Sequence, residues 1–453
     1  MTSILKAFAL ILTLSTASVA LADDTPPLDT GMIPAPLTLL PDDTPKALVV
    51  LLSDKHGWQD SDQQQAERLQ QNGAIVVGID TPKYLASLAK DTGDCIYTVS
   101  DIEEIGHQLQ RKAGNSAFLP PIIAGRGQGG ALALAILAQT PKATIGQTLA
   151  LDPEAGIPVT KEFCTPANKT RSGDRMVYGL TDGDLPDPAT VLLSPAAPAD
   201  GRDHVTSLVA AHPDIDQRDV KDDANKAYSD AIDELIALGN ATDTPLGLPL
   251  TILETAPTSD TMAIIYSGDG GWRDIDSEVA ANLQASGIPV VGVDSLRYFW
   301  SERTPEQTSA DLATIMRTYQ KRWKVRHVLL VGYSFGADVL PAAYNGLSDK
   351  LKDRIPQLSL LALSHQVDYE ISVSGWLGAN DGKGAGDPLT DIKRIDPTKV
   401  QCFYGADEED DACRDLAGTS VETIQLDGGH HFDGDYPALA KKISDGLARR
   451  LKP

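Results

Sequence analysis

The sequence is poor in cysteine, in positive charge and in long apolar runs, and each shortage excludes a class of site or of partner. Only 4 of its 453 residues are cysteines, and none has the C-x-x-C spacing of a zinc site. Lysine and arginine number 39 against 63 aspartates and glutamates, so the formal net charge is -24. Because nucleic-acid binding depends on neutralising phosphates with cations, we expect no nucleic-acid partner. The acidic surface serves solubility or attracts a cationic substrate.

The one notable apolar stretch lies at the N-terminus. Lys6 precedes the apolar run 7–14, and Ala20-Leu21-Ala22 forms a small-x-small cleavage site. This pattern predicts a secretory signal peptide over residues 1–22, cleaved after Ala22, rather than a membrane anchor, because a spanning helix needs roughly 20 apolar residues. The mature chain is then expected in the periplasm.

An oxidising compartment permits disulfides. Cys402 and Cys413 are close enough in sequence to close a short loop, which leaves Cys95 to pair with Cys164. Four cysteines allow three pairings, and proximity favours this one.

The chain contains an internal repeat. The run S-D-K-H-G-W-Q-D-S-D at 53–62 aligns without gaps to S-G-D-G-G-W-R-D-I-D at 267–276, and the register continues to Tyr84 and Tyr298. In each copy, strand-like runs alternate with helix-like runs, which predicts parallel βαβ units. Asn, Thr, Pro and Gly cluster in the linker-like segment 239–248. We therefore expect two domains, 23–246 and 247–453.

The motif Gly332-Tyr333-Ser334-Phe335-Gly336 lies between an apolar strand and a helix-like run. A G-x-S-x-G turn in that context exposes the serine and aims the next N–H at a developing oxyanion. Ser334 is the candidate nucleophile and Phe335 a candidate oxyanion donor. The pattern predicts an α/β-hydrolase fold, with mainly parallel sheets, in both halves. The alternative, a nucleotide-binding fold, lacks its G-x-G-x-x-G in the first βα unit, and we expect no cofactor.

The first copy is predicted to be degenerate. Its counterpart of the elbow is Gly125-Arg126-Gly127-Gln128-Gly129, with Gly127 at the nucleophile position. Without a hydroxyl, this half cannot carry out acyl transfer. Packing, partner binding or shaping of access to the second half remain as its roles.

The remaining candidates follow the chain order Ser, acid, His. Asp407 comes directly after an apolar strand and is the candidate acid, with Glu408, Asp410 and Asp411 as rivals. In the run 427–432, D-G-G-H-H-F, His430 is favoured over His431 as the general base.

Two further positions concern the oxyanion and the substrate. The glycine-rich loop after the first main strand of the second copy makes Asp269 and Gly270 candidate oxyanion donors. Asp338, in the first turn of the nucleophile helix, either complements the helix dipole or binds a substrate ammonium group. No metal site is expected.

The runs 332–341, 266–272 and 428–432 resemble the VirJ/AcvB family of bacterial exported virulence proteins. The resemblance covers about residues 247–453, and the additional first copy makes the chain similar to the two-domain AcvB type. It implies a periplasmic hydrolase that acts on lysyl-phosphatidylglycerol and is linked to acid tolerance and type IV secretion. Ser334 then carries over as the nucleophile and a histidine of the Gly-Gly-His-His run as the base.

Two other functions are compatible with the sequence. One is an esterase or lipase of ordinary acyl lipids, and the other is a non-catalytic periplasmic adaptor for secretion. The intact elbow and histidine run favour catalysis over scaffolding. An aminoacylated phospholipid at the membrane surface is the expected partner, with secretion-system proteins as further candidates.

Overall fold

The structure is a computed structural model that describes residues 27–240, 245–371 and 384–452. These residues form two seven-stranded sheets, one in each half, and a two-stranded hairpin in the first half. The predicted signal peptide with its cleavage site after Ala22 lies outside the described residues, as does part of the predicted linker. The domain boundary between residues 246 and 247 stays a prediction.

The first sheet has one antiparallel edge strand, and its other strands are parallel. In spatial order its strands are β1 (Leu37–Leu39), β3 (Ala74–Ile79), β2 (Ala47–Leu52), β4 (Pro121–Arg126), β5 (Gln147–Leu151), β8 (Ala189–Leu193) and β9 (Asp216–Asp219). The hairpin consists of β6 (Lys169–Ser172) and β7 (Arg175–Tyr178).

The second sheet repeats this order, again with one antiparallel edge strand. Its strands are β10 (Leu250–Leu253), β12 (Val290–Val293), β11 (Thr261–Tyr266), β13 (His327–Tyr333), β14 (Gln357–Leu361), β15 (Val400–Gly405) and β16 (Glu422–Leu426). Both halves therefore have the strand order of an α/β-hydrolase, and the predicted fold class is confirmed.

Helices connect the parallel strands and cover both faces of each sheet. In the first half they are α1 (Asp60–Gln71), α2 (Thr81–Leu88), α3 (Val99–Lys112), α4 (Gln128–Leu137), α5 (Ala199–Ala211) and α6 (Ala224–Asn240). In the second half they are α7 (Ile275–Ala285), α8 (Ser295–Tyr298), α9 (Pro305–Trp323), α10 (Phe335–Asn345), α11 (Asp349–Lys352), α12 (Pro388–Ile392) and α13 (Tyr436–Arg450). Within the described part of the chain, no helix combines the length and apolar composition needed to cross a bilayer.

The central strands are continuous apolar runs because helices bury them on both sides. All residues of β2 and β11 are buried. Each copy also stacks one tryptophan on a strand glycine: a Cβ at Gly78 would lie 2.4 Å from Trp58, and one at Gly292 would lie 2.3 Å from Trp272. This paired packing explains why the repeat keeps both residue types.

Both predicted disulfides are present. Cys95 bonds to Cys164 in the first half, and Cys402 bonds to Cys413 in the second. Disulfides are typical of proteins exported to an oxidising compartment.

Candidate active site

Ser334 stands at the sharp turn between β13 and α10, with φ 50° and ψ -120°. The flanking glycines make this turn possible. A Cβ at Gly332 would lie 2.4 Å from the carbonyl oxygen of Gly336, and a Cβ at Gly336 would lie 2.2 Å from that of Tyr266. The backbone therefore passes where no larger residue fits, and the serine is lifted above the carboxyl edge of the sheet.

His430 lies in the loop after β16, at the same edge of the sheet. Its Nε2 is 3.0 Å from Ser334 Oγ, and its Nδ1 is 2.8 Å from Glu408 Oε1. A carboxylate on Nδ1 fixes that nitrogen as the donor and leaves Nε2 free to accept the serine proton. The three side chains thus form one hydrogen-bonded series.

The neighbouring histidine takes no part in this series. The Nδ1 of His431 is 3.4 Å from the hydroxyl of Tyr333, a residue of the elbow itself. The structure therefore brings His430, and not His431, to Ser334.

The acid in this series is not the one that the sequence indicated. Asp407 is exposed, and its N–H donates to the carbonyl oxygen of Gly428. The next residue, Glu408, reaches the imidazole instead. The choice of Asp407 is corrected to Glu408, which the sequence offered only as a rival.

The loop that presents Glu408 is held from both ends. The Cys402–Cys413 disulfide joins β15 to the segment after the loop. The guanidinium of Arg414 donates to the backbone carbonyls of Gly405, Ala406 and Glu408, at 2.9 to 3.0 Å. A fixed loop is what a triad acid needs, because the imidazole must keep one orientation.

Asp411 is a second carboxylate beside this loop, and only 3% of it is exposed. Its Oδ1 accepts a hydrogen bond of 2.8 Å from the N–H of Cys413. Burial, reinforced by the nearby charge of Glu408, raises the pKa of Asp411 to about 6. Among the rivals named from the sequence, Asp410 lies 3.8 Å from His365 and does not contact His430.

The first half shows where an oxyanion would bind in this fold. Gly127 has φ 53° and ψ -116°, almost the conformation of Ser334. The carboxylate of Asp54 fills the space above it, and its Oδ1 accepts from the N–H groups of Lys55, at 2.7 Å, and Gln128, at 2.9 Å. In the first copy, therefore, an internal carboxylate occupies the oxyanion position.

In the second half a glycine takes the place of Asp54 beside the same two donors. The repeat places Gly268 at the position of Asp54 and Asp269 at that of Lys55, while Phe335 follows Ser334 as Gln128 follows Gly127. Gly268 has no side chain, and a Cβ added to it would lie 3.2 Å from the Tyr333 ring and 3.7 Å from Ser334 Cβ. The comparison favours Asp269 and Phe335 as oxyanion donors over Gly270, whose counterpart in the first copy does not bind the Asp54 carboxylate.

Asp338 lies in the first turn of α10, and only 8% of it is exposed. Its Oδ1 accepts a hydrogen bond of 2.8 Å from the N–H of Ser364. Burial raises its pKa well above the usual value, and the charges of Asp411, Asp269 and Asp368 raise it further. Several carboxyl groups therefore lie near Asp338 in the first turn of the nucleophile helix.

The model of one protein family, described as bacterial virulence protein (VirJ), matches residues 46–139 and 260–451, more than half of the chain. The match includes the first copy, beyond the range over which the sequence motifs show a resemblance. No curated protein matches the chain.

Several solved structures are similar at low sequence identity. The type II thioesterase YbtT of the yersiniabactin pathway is 15% identical, with 45% of this chain and 100% of that chain covered and a TM-score of 0.31. Est1E from Butyrivibrio proteoclasticus is 14% identical, with 45% and 93% covered and a TM-score of 0.32. The esterase domain of a Rhodothermus marinus protein is 14% identical, with 45% and 88% covered and a TM-score of 0.27.

Proposed function

The chain belongs to the bacterial virulence protein (VirJ) family, and on that premise we propose that its second half is a serine ester hydrolase that releases lysine from lysyl-phosphatidylglycerol. The observation that carries the proposal is the hydrogen-bonded series from Ser334 through His430 to Glu408, with distances of 3.0 and 2.8 Å. A nucleophile, a base and an orienting carboxylate in that order are the apparatus of acyl transfer.

The proposed reaction has two steps. His430 Nε2 takes the proton of Ser334 Oγ as the oxygen attacks the lysyl carbonyl carbon, and the N–H groups of Phe335 and Asp269 bind the resulting oxyanion. The intermediate collapses to lysyl-Ser334, and His430 returns the proton to the departing glycerol oxygen of phosphatidylglycerol. Water, deprotonated by His430, then attacks the acyl carbon, and the second tetrahedral intermediate collapses to release lysine as His430 returns the proton to Ser334 Oγ. Glu408 stabilises the imidazolium that forms in each step.

The electrostatics of the site support a cationic acyl group. A lysyl ester carries two ammonium groups, and a cation near Asp338 would relieve the repulsion between its carboxylate form and the charges of Asp269, Asp368 and Asp411. The net charge of -24 acts in the same sense over longer distances. Family membership and the two disulfides support a periplasmic location, with the aminoacylated lipid reached at the membrane surface.

The test is the release of lysine from purified lysyl-phosphatidylglycerol by the full chain and by Ser334→Ala. We expect a loss of at least about 10³-fold in the variant, because removal of the nucleophile leaves only binding and the oxyanion donors. Ser207→Ala, which removes an exposed serine hydroxyl of α5, serves as the control and should keep native activity. Equal lysine release by Ser334→Ala and the native protein would refute the hydrolase.

The alternative of an ordinary esterase or lipase is separated by a second substrate. The same preparations are offered a phospholipid with only fatty-acyl esters. The proposal expects turnover of the lysyl ester and little release of fatty acid. The reverse preference would leave the hydrolase in place and replace its substrate.

A further inference from the structure

One face of α3, a helix of the first half, packs against the second half of the chain. Glu103, His107 and Arg111 are spaced four residues apart and therefore share that face. The His107 ring lies 5.6 Å from the ring of Trp300, and the Arg111 guanidinium lies 3.8 Å from the same ring. The contact thus joins a helix of the first copy to the carboxyl edge of the second sheet.

At the N-terminal end of this face, the contact reaches the loop 268–271, which carries the candidate oxyanion donor Asp269. Arg273 Nη1 donates to Glu103 Oε1 at 2.9 Å and to Thr144 Oγ1 at 3.3 Å, and both acceptors belong to the first half. The guanidinium lies close against Gly270, where an added Cβ would be 2.7 Å from Nη2. Arg273 therefore links Glu103 to the loop 268–271.

This link is largely withdrawn from water. The side chain of Glu103 is 14% exposed and that of Arg273 is 22% exposed. Burial alone lowers the pKa of Arg273, but the Glu103 carboxylate more than offsets this and keeps the guanidinium charged. Removal of one partner from a buried pair of this kind destabilises the fold, because the other charge is left buried and unpaired.

The first copy supports its equivalent loop by itself. Gln59 stands at the position of Arg273, and its amide donates to the carbonyl oxygens of His56, at 2.8 Å, and Gly57, at 3.3 Å. In the second copy the arginine guanidinium lies against Gly270 of its own loop but donates to Glu103 and Thr144 of the other half. The loop that would bind the oxyanion is thus supported from outside its own domain.

We propose that Glu103 is a positioning residue for the second-half site, which holds Arg273 and, through it, keeps the loop 268–271 in the geometry that aims the Asp269 N–H at the oxyanion. The degenerate first half is then an activating domain for the second. The inference rests on the hydrolase proposed above and adds a role for the half that cannot react.

The test uses the full chain with Glu103→Gln and, as a matched control, Glu104→Gln. Glu104 is the next residue of α3, and its carboxylate accepts from Gln108 within the first half. We measure kcat and KM for lysine release, the melting temperature, and the rate at which a fluorophosphonate probe labels Ser334. Glu103→Gln is expected to lower kcat and the labelling rate by about 10- to 100-fold with KM nearly unchanged, and also to lower the melting temperature, because Arg273 loses its buried counter-charge.

Two further variants distinguish positioning from simple loss of structure. Arg273→Gln is expected to show the same loss, and the double variant with Glu103→Gln no greater loss, because the two side chains act as one unit. Glu103→Asp, which keeps the charge, should restore part of kcat even if Glu103→Gln folds poorly.

Native kcat in Glu103→Gln, or losses in the double variant that multiply, would overturn this inference while leaving the hydrolase intact. A native protein whose Ser334 neither reacts with the probe nor releases lysine would overturn both proposals. Loss of activity in Glu104→Gln equal to that in Glu103→Gln would also count against positioning, because it would trace the effect to α3 in general.

Discussion

The side chain of Glu408 determines which nitrogen of His430 carries the proton. With Oε1 2.8 Å from Nδ1, the carboxylate holds the hydrogen there and leaves Nε2, 3.0 Å from Ser334 Oγ, as the base. An amide in place of the carboxylate can present its NH2 group to Nδ1 and favour the opposite tautomer, and it provides no charge to stabilise the imidazolium.

Glu408→Gln is therefore expected to lower kcat by about 10³- to 10⁴-fold, since loss of the wanted tautomer has an effect of that order in a serine triad. The matched variant is Asp407→Asn, which changes the exposed neighbour and should keep kcat within about 3-fold of native. Steady-state kinetics of lysine release provide the measurement. A large loss in Asp407→Asn with native activity in Glu408→Gln would show that the acid was assigned wrongly.

The sequence could locate this acid only to within a few residues. The sequence shows strand β15, the glycine at its end and the acidic run that follows. Which carboxylate faces the imidazole depends on the position of the turn in that run. The N–H of Ala406 donates to Leu426 O, and that of Asp407 to Gly428 O, so pairing with the next loop extends past the expected end of the strand. By contrast, Ser334 could be predicted because its motif fixes its own backbone geometry.

At the scale of the element, the loop after the first central strand differs between the copies in one decisive position. Asp54 in the first copy accepts from two backbone N–H groups, and Gly268 in the second copy brings no carboxylate to the equivalent position. A carboxylate introduced at 268 is expected to accept from the N–H groups of Asp269 and Phe335 and so to compete with the oxyanion of the reaction.

Gly268→Asp is accordingly expected to reduce kcat by about 10³-fold or more, because it withdraws both donors, each worth roughly 10²- to 10³-fold. Gly268→Ala provides the control: its Cβ would lie 3.2 Å from the Tyr333 ring, so it fits after a small shift and should cost less than about 10-fold. Kinetics and melting temperatures of both variants test this. Equal losses in the two variants would indicate steric obstruction of Ser334 and not occupation of the donors.

The internal repeat made it possible to predict from the sequence which strands and turns of the two halves are equivalent. Buried parallel strands such as Ala47–Leu52 can be located in the sequence because they are unbroken apolar runs. The turn at Gly127 could be recognised as a degenerate elbow because the repeat aligns it with the elbow of the second copy. That Asp54 fills its oxyanion position could not be foreseen, since the contact depends on the exact path of two loops.

At the scale of the whole molecule, the two halves are joined by contacts with no local sequence signal. Arg273 and Glu103 are 170 residues apart in the chain, and Arg111 and Glu370 are 259 apart. In the sequence these residues cannot be told from ordinary surface charges, because no periodic pattern connects a residue to a partner so far away in the chain. The two folds were therefore predictable, whereas the way they pack and the dependence of one site on the other half were not.

Arg111 provides the test of that packing. Its guanidinium donates to the backbone carbonyls of Trp300 and Ile371, pairs with Glu370 at 3.2 Å, and stacks on the indole of Trp300, which is 1% exposed. Arg111→Met keeps the length and apolar contact of the side chain but removes every donor, so two buried carbonyls lose their partners at about 1 to 3 kcal/mol each.

We expect Arg111→Met to lower the melting temperature of the full chain by at least about 4 °C, because the two carbonyls together cost about 2 kcal/mol or more and roughly 1 kcal/mol corresponds to 2 to 4 °C for domains of this size. Calorimetry should also show broader unfolding as the halves lose their coupling. Lys112→Met, on the exposed side of the same helix, changes the same charge without touching the second half and should melt as the native protein does. Identical melting of both variants would contradict the interface, and with it the structural basis for an effect of Glu103 on the distant serine.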